Sequence, residues 1–143
     1  MVSVFDVARY ILEQKGSMST WKLQKLCYYA QAWHYTWTEK RLLKEEFQAW
    51  RNGPVCPELI AIHKGKFMIS AEDVDGNPEN MNPDEKESVD VVLLAYGDRD
   101  PYDLREQTHF EEPWRKARGT LPDDANSEEI ITVESMGEYY GSL

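Results

Sequence analysis

The sequence predicts a mainly α fold, a compact single domain over residues 1–143 with about six or seven helices and two or three short strands. Three observations predict it. Apolar residues recur at i, i+3, i+4 and i+7 in the longer segments, the spacing that lines one face of a helix. Most of those segments open on Ser, Thr, Asn or Asp and close on glycine, which is helix punctuation. The alternating strand pattern is confined to short runs.

Ser3 caps the first helix, whose stripe is Val4, Val7, Ala8, Ile11 and Leu12, and Gly16 stops it. Ser19 or Thr20 caps a second, longer helix that reaches about Trp37. It carries two stripes. Leu23, Leu26, Cys27, Ala30, His34 and Trp37 have core spacing, and Trp21, Tyr28 and Tyr35 lie seven apart on roughly the opposite side. A helix apolar on two sides is either central in its domain or covered on one side by a partner. In residues 42–51, Phe47 and Ala49 alternate with polar neighbours as in a short strand, which ends at the turn Asn52-Gly53-Pro54. Pro57 opens a short helix from Glu58 to His63, and Phe67-Met68-Ile69 reads as a second strand.

Residues 70–82 form an acidic loop. Asp73, Asp75 and Asn77 mimic the start of a calcium loop, but Pro78 stands where the turn needs Gly and Asp84 where a bidentate Glu belongs. Asn82-Pro83-Asp84-Glu85 combines a cap, a Pro at the first position and an acid three after the cap, a strong helix start. Val89, Val92, Leu93 and Tyr96 are its inner face, and Gly97 ends it. Asp100-Pro101 starts another helix, running to about Thr108. Pro113 starts a third, with Trp114 and Ala117 inward and Gly119 at its end. A linker leads to Ile130 and Ile131, and Thr132 caps a last helix containing Val133, Met136 and Tyr140. No repeat or internal domain boundary is visible.

Net charge is −10, unevenly placed. Residues 1–66 hold ten Lys/Arg and six Asp/Glu, a balance of +4; residues 67–143 hold six and twenty, a balance of −14. That polarity disfavours direct binding to nucleic acid, which needs concentrated positive charge. It favours a basic protein partner through complementarity and steering. The N-terminal run lacks the basic start of a signal peptide, and no apolar run approaches a membrane span of about 20 residues. Two scattered cysteines, Cys27 and Cys56, read as reduced thiols of a cytoplasmic protein.

No constellation of catalytic type stands out. The glycines never fall as GxG, so no phosphate loop is present, and His34, His63 and His109 with the two Cys lack metal-ligand spacing. No cofactor or metal is expected. His109 sits in Thr108-His109-Phe110-Glu111-Glu112-Pro113-Trp114, where Glu111 or Glu112 could orient it for acid–base work. No nucleophile or second acid accompanies it, so a structural role is favoured. Lys22 and Lys25 on the long helix could meet acids of a partner or of this chain's own acidic half.

Three motifs carry a family resemblance. The run from Lys22 to Trp33, which includes Leu23 and Leu26, resembles the "KLQKLLYFAQ" helix of the Panacea domain, the SocA-like antitoxin family also met among phage-associated proteins. Phe47-Gln48-Ala49-Trp50 to Gly53-Pro54-Val55 is similar to its "F-x-AW-x-x-GPV" motif, and Thr108-His109 with Pro113-Trp114 to its "TH-x-x-x-PW" motif. The opening helix and the turn Asp73–Gly76 match less specifically. The resemblance spans roughly residues 4 to 140 and departs at Cys27 and Cys56, positions that leave the fold intact.

The resemblance implies the antitoxin of a two-gene toxin–antitoxin system whose partner is a cognate toxin protein. One branch of the family is similar to an adaptor that hands its toxin to a AAA+ protease, and others neutralise by direct contact. No catalytic role transfers with the motifs. The residues implied to be architectural are Leu23, Leu26, Ala49, Trp50, Gly53, Pro54, Val55, His109, Pro113 and Trp114. The surface expected to meet the partner is Trp21, Lys22, Lys25, Tyr28 and Tyr35, with the acidic second half as its rim. The competing readings are an acidic mimic that blocks a nucleic-acid-binding protein, and an enzyme using His109.

Overall fold

Helix boundaries follow the caps. In the computed structural model, which describes residues 1–143, Ser3 caps α1 (Val4–Lys15) with a reciprocal bond to Asp6, and Gly16 closes it at φ +84°, a left-handed value that favours glycine. Ser19 rather than Thr20 caps α2 (Thr20–Thr38). The remaining helices are α3 (Pro57–His63), α4 (Pro83–Tyr96), α5 (Pro101–Phe110), α6 (Glu112–Arg118) and α7 (Val133–Tyr140). Four of these five carry Pro in the first turn; Thr132 caps the fifth. The acidic loop holds two short 3-10 turns, Ala71–Asp73 and Pro78–Asn80.

Five strands, more than the two or three expected, form two small sheets. β1 (Met18–Ser19) pairs antiparallel with β4 (Met68–Ile69). β2 (Phe47–Trp50) is the centre of the other sheet, between β3 (Gly53–Val55) and β5 (Ile130–Ile131), with Ala49 opposite Pro54 and Phe47 opposite Ile131. The extra strands are two or three residues long, too short for an alternating pattern to register in the sequence.

The two apolar sides of α2 have a plain explanation: it is the central helix. Helices α1, α4, α5 and α7 pack around it, and most of its residues are buried. Each fully buried Leu, Ile or Phe-sized side chain contributes about 1.5–3 kcal/mol. The chain after α2 is irregular yet fastened. Gln31 Oε1 accepts from the backbone N–H groups of Leu42 and Leu43, both at 3.0 Å, and Glu45 accepts from Val4 N–H at 2.8 Å and Ser3 Oγ at 3.0 Å. The acidic loop presses on α1 at Gly76, where a side chain would begin 2.2 Å from the carbonyl oxygen of Phe5. No helix is long and apolar enough to cross a membrane.

Two expectations about side chains are corrected. Trp37, assigned to the core stripe, is 47% exposed; it stands near the end of α2 beside the outward-facing Val91 of α4 and packs on Trp33 rather than in the core. His109 lies in the last turn of α5, not in a turn beyond it, since that helix continues to Phe110. Ala117, half-buried on α6, packs against the core as expected.

Candidate functional site

The three sequence motifs, up to ninety residues apart, meet at one place. Gln24 on α2 holds the strand motif: its Oε1 accepts from Cys56 N–H at 2.8 Å and its Nε2 donates to the Cys56 carbonyl at 3.2 Å. The same Nε2 lies 3.0 Å from His63 Nε2. Trp114 Nε1 donates to the carbonyl of Trp50 at 2.8 Å, and Arg118 Nη1 to the carbonyl of Ala49 at 2.8 Å. The His109 ring stacks on Trp114 at 3.8 Å between centroids, 8° from parallel, and the Arg118 guanidinium lies 4.6 Å from the same ring's centroid. Leu23, Leu26, Ala49, Gly53, Pro54, Val55, Pro113 and Trp114 are buried; Trp50 and His109 are half-buried.

Lys25 sits at the middle of this hub, 1% exposed, its Nζ without a hydrogen-bond partner and 5.1 Å from the centre of the Trp21 ring. Gly53, at φ +113°, makes room for it: a side chain there would start 2.6 Å from Lys25 Cε and 3.1 Å from Thr108 Oγ1. Burial, reinforced by the nearby Arg105 charge, brings the Lys25 amine down from 10.5 to about 7. His109 Nε2 is also buried without a partner, and burial with Arg105 brings that ring down from 6.5 to about 4. His109 is therefore a neutral ring held by stacking. Of the two carboxylates that could have oriented it, Glu112 is exposed and the other is engaged elsewhere.

That carboxylate is Glu111. It is 5% exposed and accepts from Tyr29 Oη at 2.8 Å, Tyr140 Oη at 2.7 Å and Gln107 Nε2 at 3.1 Å. Tyr28 Oη lies 3.2 Å from Tyr140 Oη, and Tyr96 stacks on Tyr29 at 4.0 Å. Burial raises all three phenols of Tyr28, Tyr29 and Tyr140, so they stay protonated as donors. Burial likewise pushes the Cys27 thiol well up and Cys56 to about 12, which leaves neither a nucleophile at neutral pH. No group of three His, Cys, Asp or Glu residues is placed to hold a metal.

The surface expected on α2 is not one surface. Tyr28 is 1% exposed, enclosed by Tyr29, Phe47 and Tyr140, and Lys25 is equally enclosed, so neither is available to a partner in this conformation. The cause is the central position of α2, which turns its second stripe into core. Trp21, Lys22 and Tyr35 are half-buried. Trp21 lines a hollow of about 380 Å³ with Trp50, Arg51 and Asn52, closed by Ser127 and Glu128. Tyr35 packs beside Gly137 of α7, where a side chain would start 2.8 Å from its ring.

Sequence reasoning missed Gln24, Glu111 and Arg118 as organising residues. A signal existed for the first: a Gln flanked by core-facing Leu23 and Leu26 has its amide in the interior and needs backbone partners there. For Glu111 and Arg118 no local pattern separates a buried charge from a solvated one.

The model of the family described as "Antitoxin SocA-like, Panacea domain" matches residues 23–115, well over half of the chain. All three motifs lie within or at the edge of that match. No curated protein and no solved structure matches this chain.

Proposed function

We propose that this chain, which belongs to the SocA-like Panacea antitoxin family, is the antitoxin of a toxin–antitoxin pair and neutralises its toxin by direct protein–protein contact. Family membership carries the reading. The packing of the motifs supports it: they are spent on building the domain, with Trp114, Gln24 and Arg118 fastening strand to helix, so recognition falls to the outer surface. An unrelated toxin needs no shared chemistry from an inhibitor, only a complementary face. The twenty acids of residues 67–143 fit a basic toxin and would raise the association rate more than the affinity.

The enzyme reading loses support at His109. A general base needs a hydrogen-bonded orienting group and access to substrate; this ring has no partner at Nε2 and lies flat on Trp114.

The test is co-expression with the product of the adjoining open reading frame. That product alone should arrest growth, the pair should grow, and the two should co-purify as a stoichiometric complex without loss of the toxin's abundance. Protection accompanied by disappearance of the toxin, and lost in a host lacking its AAA+ protease, would assign an adaptor instead. Turnover of a small substrate by the purified chain, abolished by His109→Ala, would overturn the antitoxin reading.

A further inference from the structure

Helix α4 turns Asp84, Glu87, Val91 and Leu94 outward, about one residue per turn. Val91 is 41% and Leu94 87% exposed, and Trp37 from the end of α2 stands beside Val91. Trp37 packs on Trp33 with ring centroids 5.5 Å apart, and Trp33 Nε1 donates to Tyr96 Oη at 2.9 Å, which fixes the pair before any partner arrives. Between α2 and α4 these rings, with Val91, Val92 and Ala95, line a wholly apolar hollow of about 140 Å³. A second hollow of about 440 Å³ continues from Trp37 and Val91 to Asp84 and Glu87. Neither carboxylate takes part in an ion pair of the chain.

We propose that this α2–α4 groove is the toxin-docking face, and that its occupant is a basic amphipathic segment which seats one apolar side chain against Trp37 and Val91 and sets Lys or Arg against Asp84 and Glu87. The proposal rests on the antitoxin reading and adds the site and the partner's chemistry. Two arguments select this occupant. Covering the apolar hollow desolvates the two carboxylates at its end, and a buried carboxylate left unpaired is costly, so the apolar group must arrive with cations. A second copy of the chain fits poorly, because a two-fold contact offers the same patch on both sides and the lining of this one holds no Lys or Arg to meet Asp84 and Glu87. Trp is among the residues that most often anchor a binding hot spot, and Trp37 is the exposed ring of this face.

The experiment has two arms. In the first, amide and indole resonances of the full chain are followed during titration with an 18-residue helical peptide of Leu and Lys, and separately with one of Leu and Glu. The Leu/Lys peptide should shift resonances of Trp37, Val91 and Leu94 first, bind at least tenfold more tightly than the Leu/Glu peptide, and weaken several-fold with added salt. In the second, Val91→Glu and Leu94→Glu, shown by melting to be folded, are compared with the parent for growth protection against the adjoining gene's product; each should lose at least tenfold in affinity for it. Equal binding of the two peptides, or shifts confined to other faces, overturns the proposal, as does full protection by the folded variants. Dimerisation of the parent that Leu94→Glu abolishes also overturns it, because the face then serves self-association. A parent that gives no protection removes the antitoxin reading, and the peptide arm still decides the chemistry of the groove.

Discussion

Lys25 and Tyr29 are one turn apart on the same helix, and each anchors a buried polar cluster. Around Tyr29, Glu111 accepts three hydrogen bonds from Tyr29, Tyr140 and Gln107. Around Lys25, the amine Nζ and His109 Nε2 have no partner at all. Both clusters are enclosed by the same core, so burial does not distinguish them. Pairing does. A satisfied network fixes a unique geometry, whereas an unsatisfied buried group costs its full desolvation. The first cluster should hold the domain together and the second should weaken it.

Removing the hub's aromatic cover has the largest expected effect. Trp114→Ala should cost about 3–5 kcal/mol in urea unfolding, because a buried ring, a stack on His109 and the bond to Trp50 go together. That approaches the whole stability of a domain of this size, about 5–15 kcal/mol. A variant that unfolds like the parent would mean that the ring is not structural.

The comparison itself is decided by a pair of substitutions with opposite signs. Glu111→Leu should destabilise by about 3 kcal/mol, since it strands the Tyr29 hydroxyl in the interior and leaves Tyr140 with Tyr28 alone. Lys25→Met keeps the stem and deletes the unpaired amine, and should stabilise by about 1–3 kcal/mol. If Lys25→Met is destabilising, the amine has a partner and the two clusters are alike.

A pH titration sharpens the same contrast. The Lys25 amine falls from 10.5 to about 7, so between those values the folded state binds fewer protons than the unfolded one. Its contribution to stability is complete above pH 10.5 and is lost as pH falls towards 7. His109, lowered from 6.5 to about 4, acts with the same sign: its contribution disappears as pH falls through that lower window. Denaturant midpoints of the parent minus those of Lys25→Met should therefore rise with pH across the upper window. A flat difference would show that the amine keeps its ordinary affinity for protons.

On the exposed surface the effects should be small. Glu13→Gln, which breaks the half-exposed i,i+4 pair with Arg9, should change stability by no more than about 0.5 kcal/mol and less in high salt.

The local code of the chain was legible residue by residue. Ser3, Ser19, Asn82, Asp100 and Thr132 cap helices because a short polar side chain can satisfy the first free N–H groups wherever the rest of the protein lies. The stripes of α1 and α4 face inward for the same local reason, and the three motifs were sufficient to identify the family. What the sequence left open needed long-range packing. The pattern of α2 is compatible with a surface stripe or a central helix; only the arrival of α7 and the strand Phe47–Trp50 against Tyr28 chose the second. Likewise Lys25 and Lys22 look alike in the sequence, yet one is sealed under Trp21 and Gly53 and the other meets solvent. Caps and periodicity are set by neighbours a few residues away, which the sequence contains. Burial and charge state are set by residues brought from 19 to 112 positions away, and only the tertiary structure decides which those are.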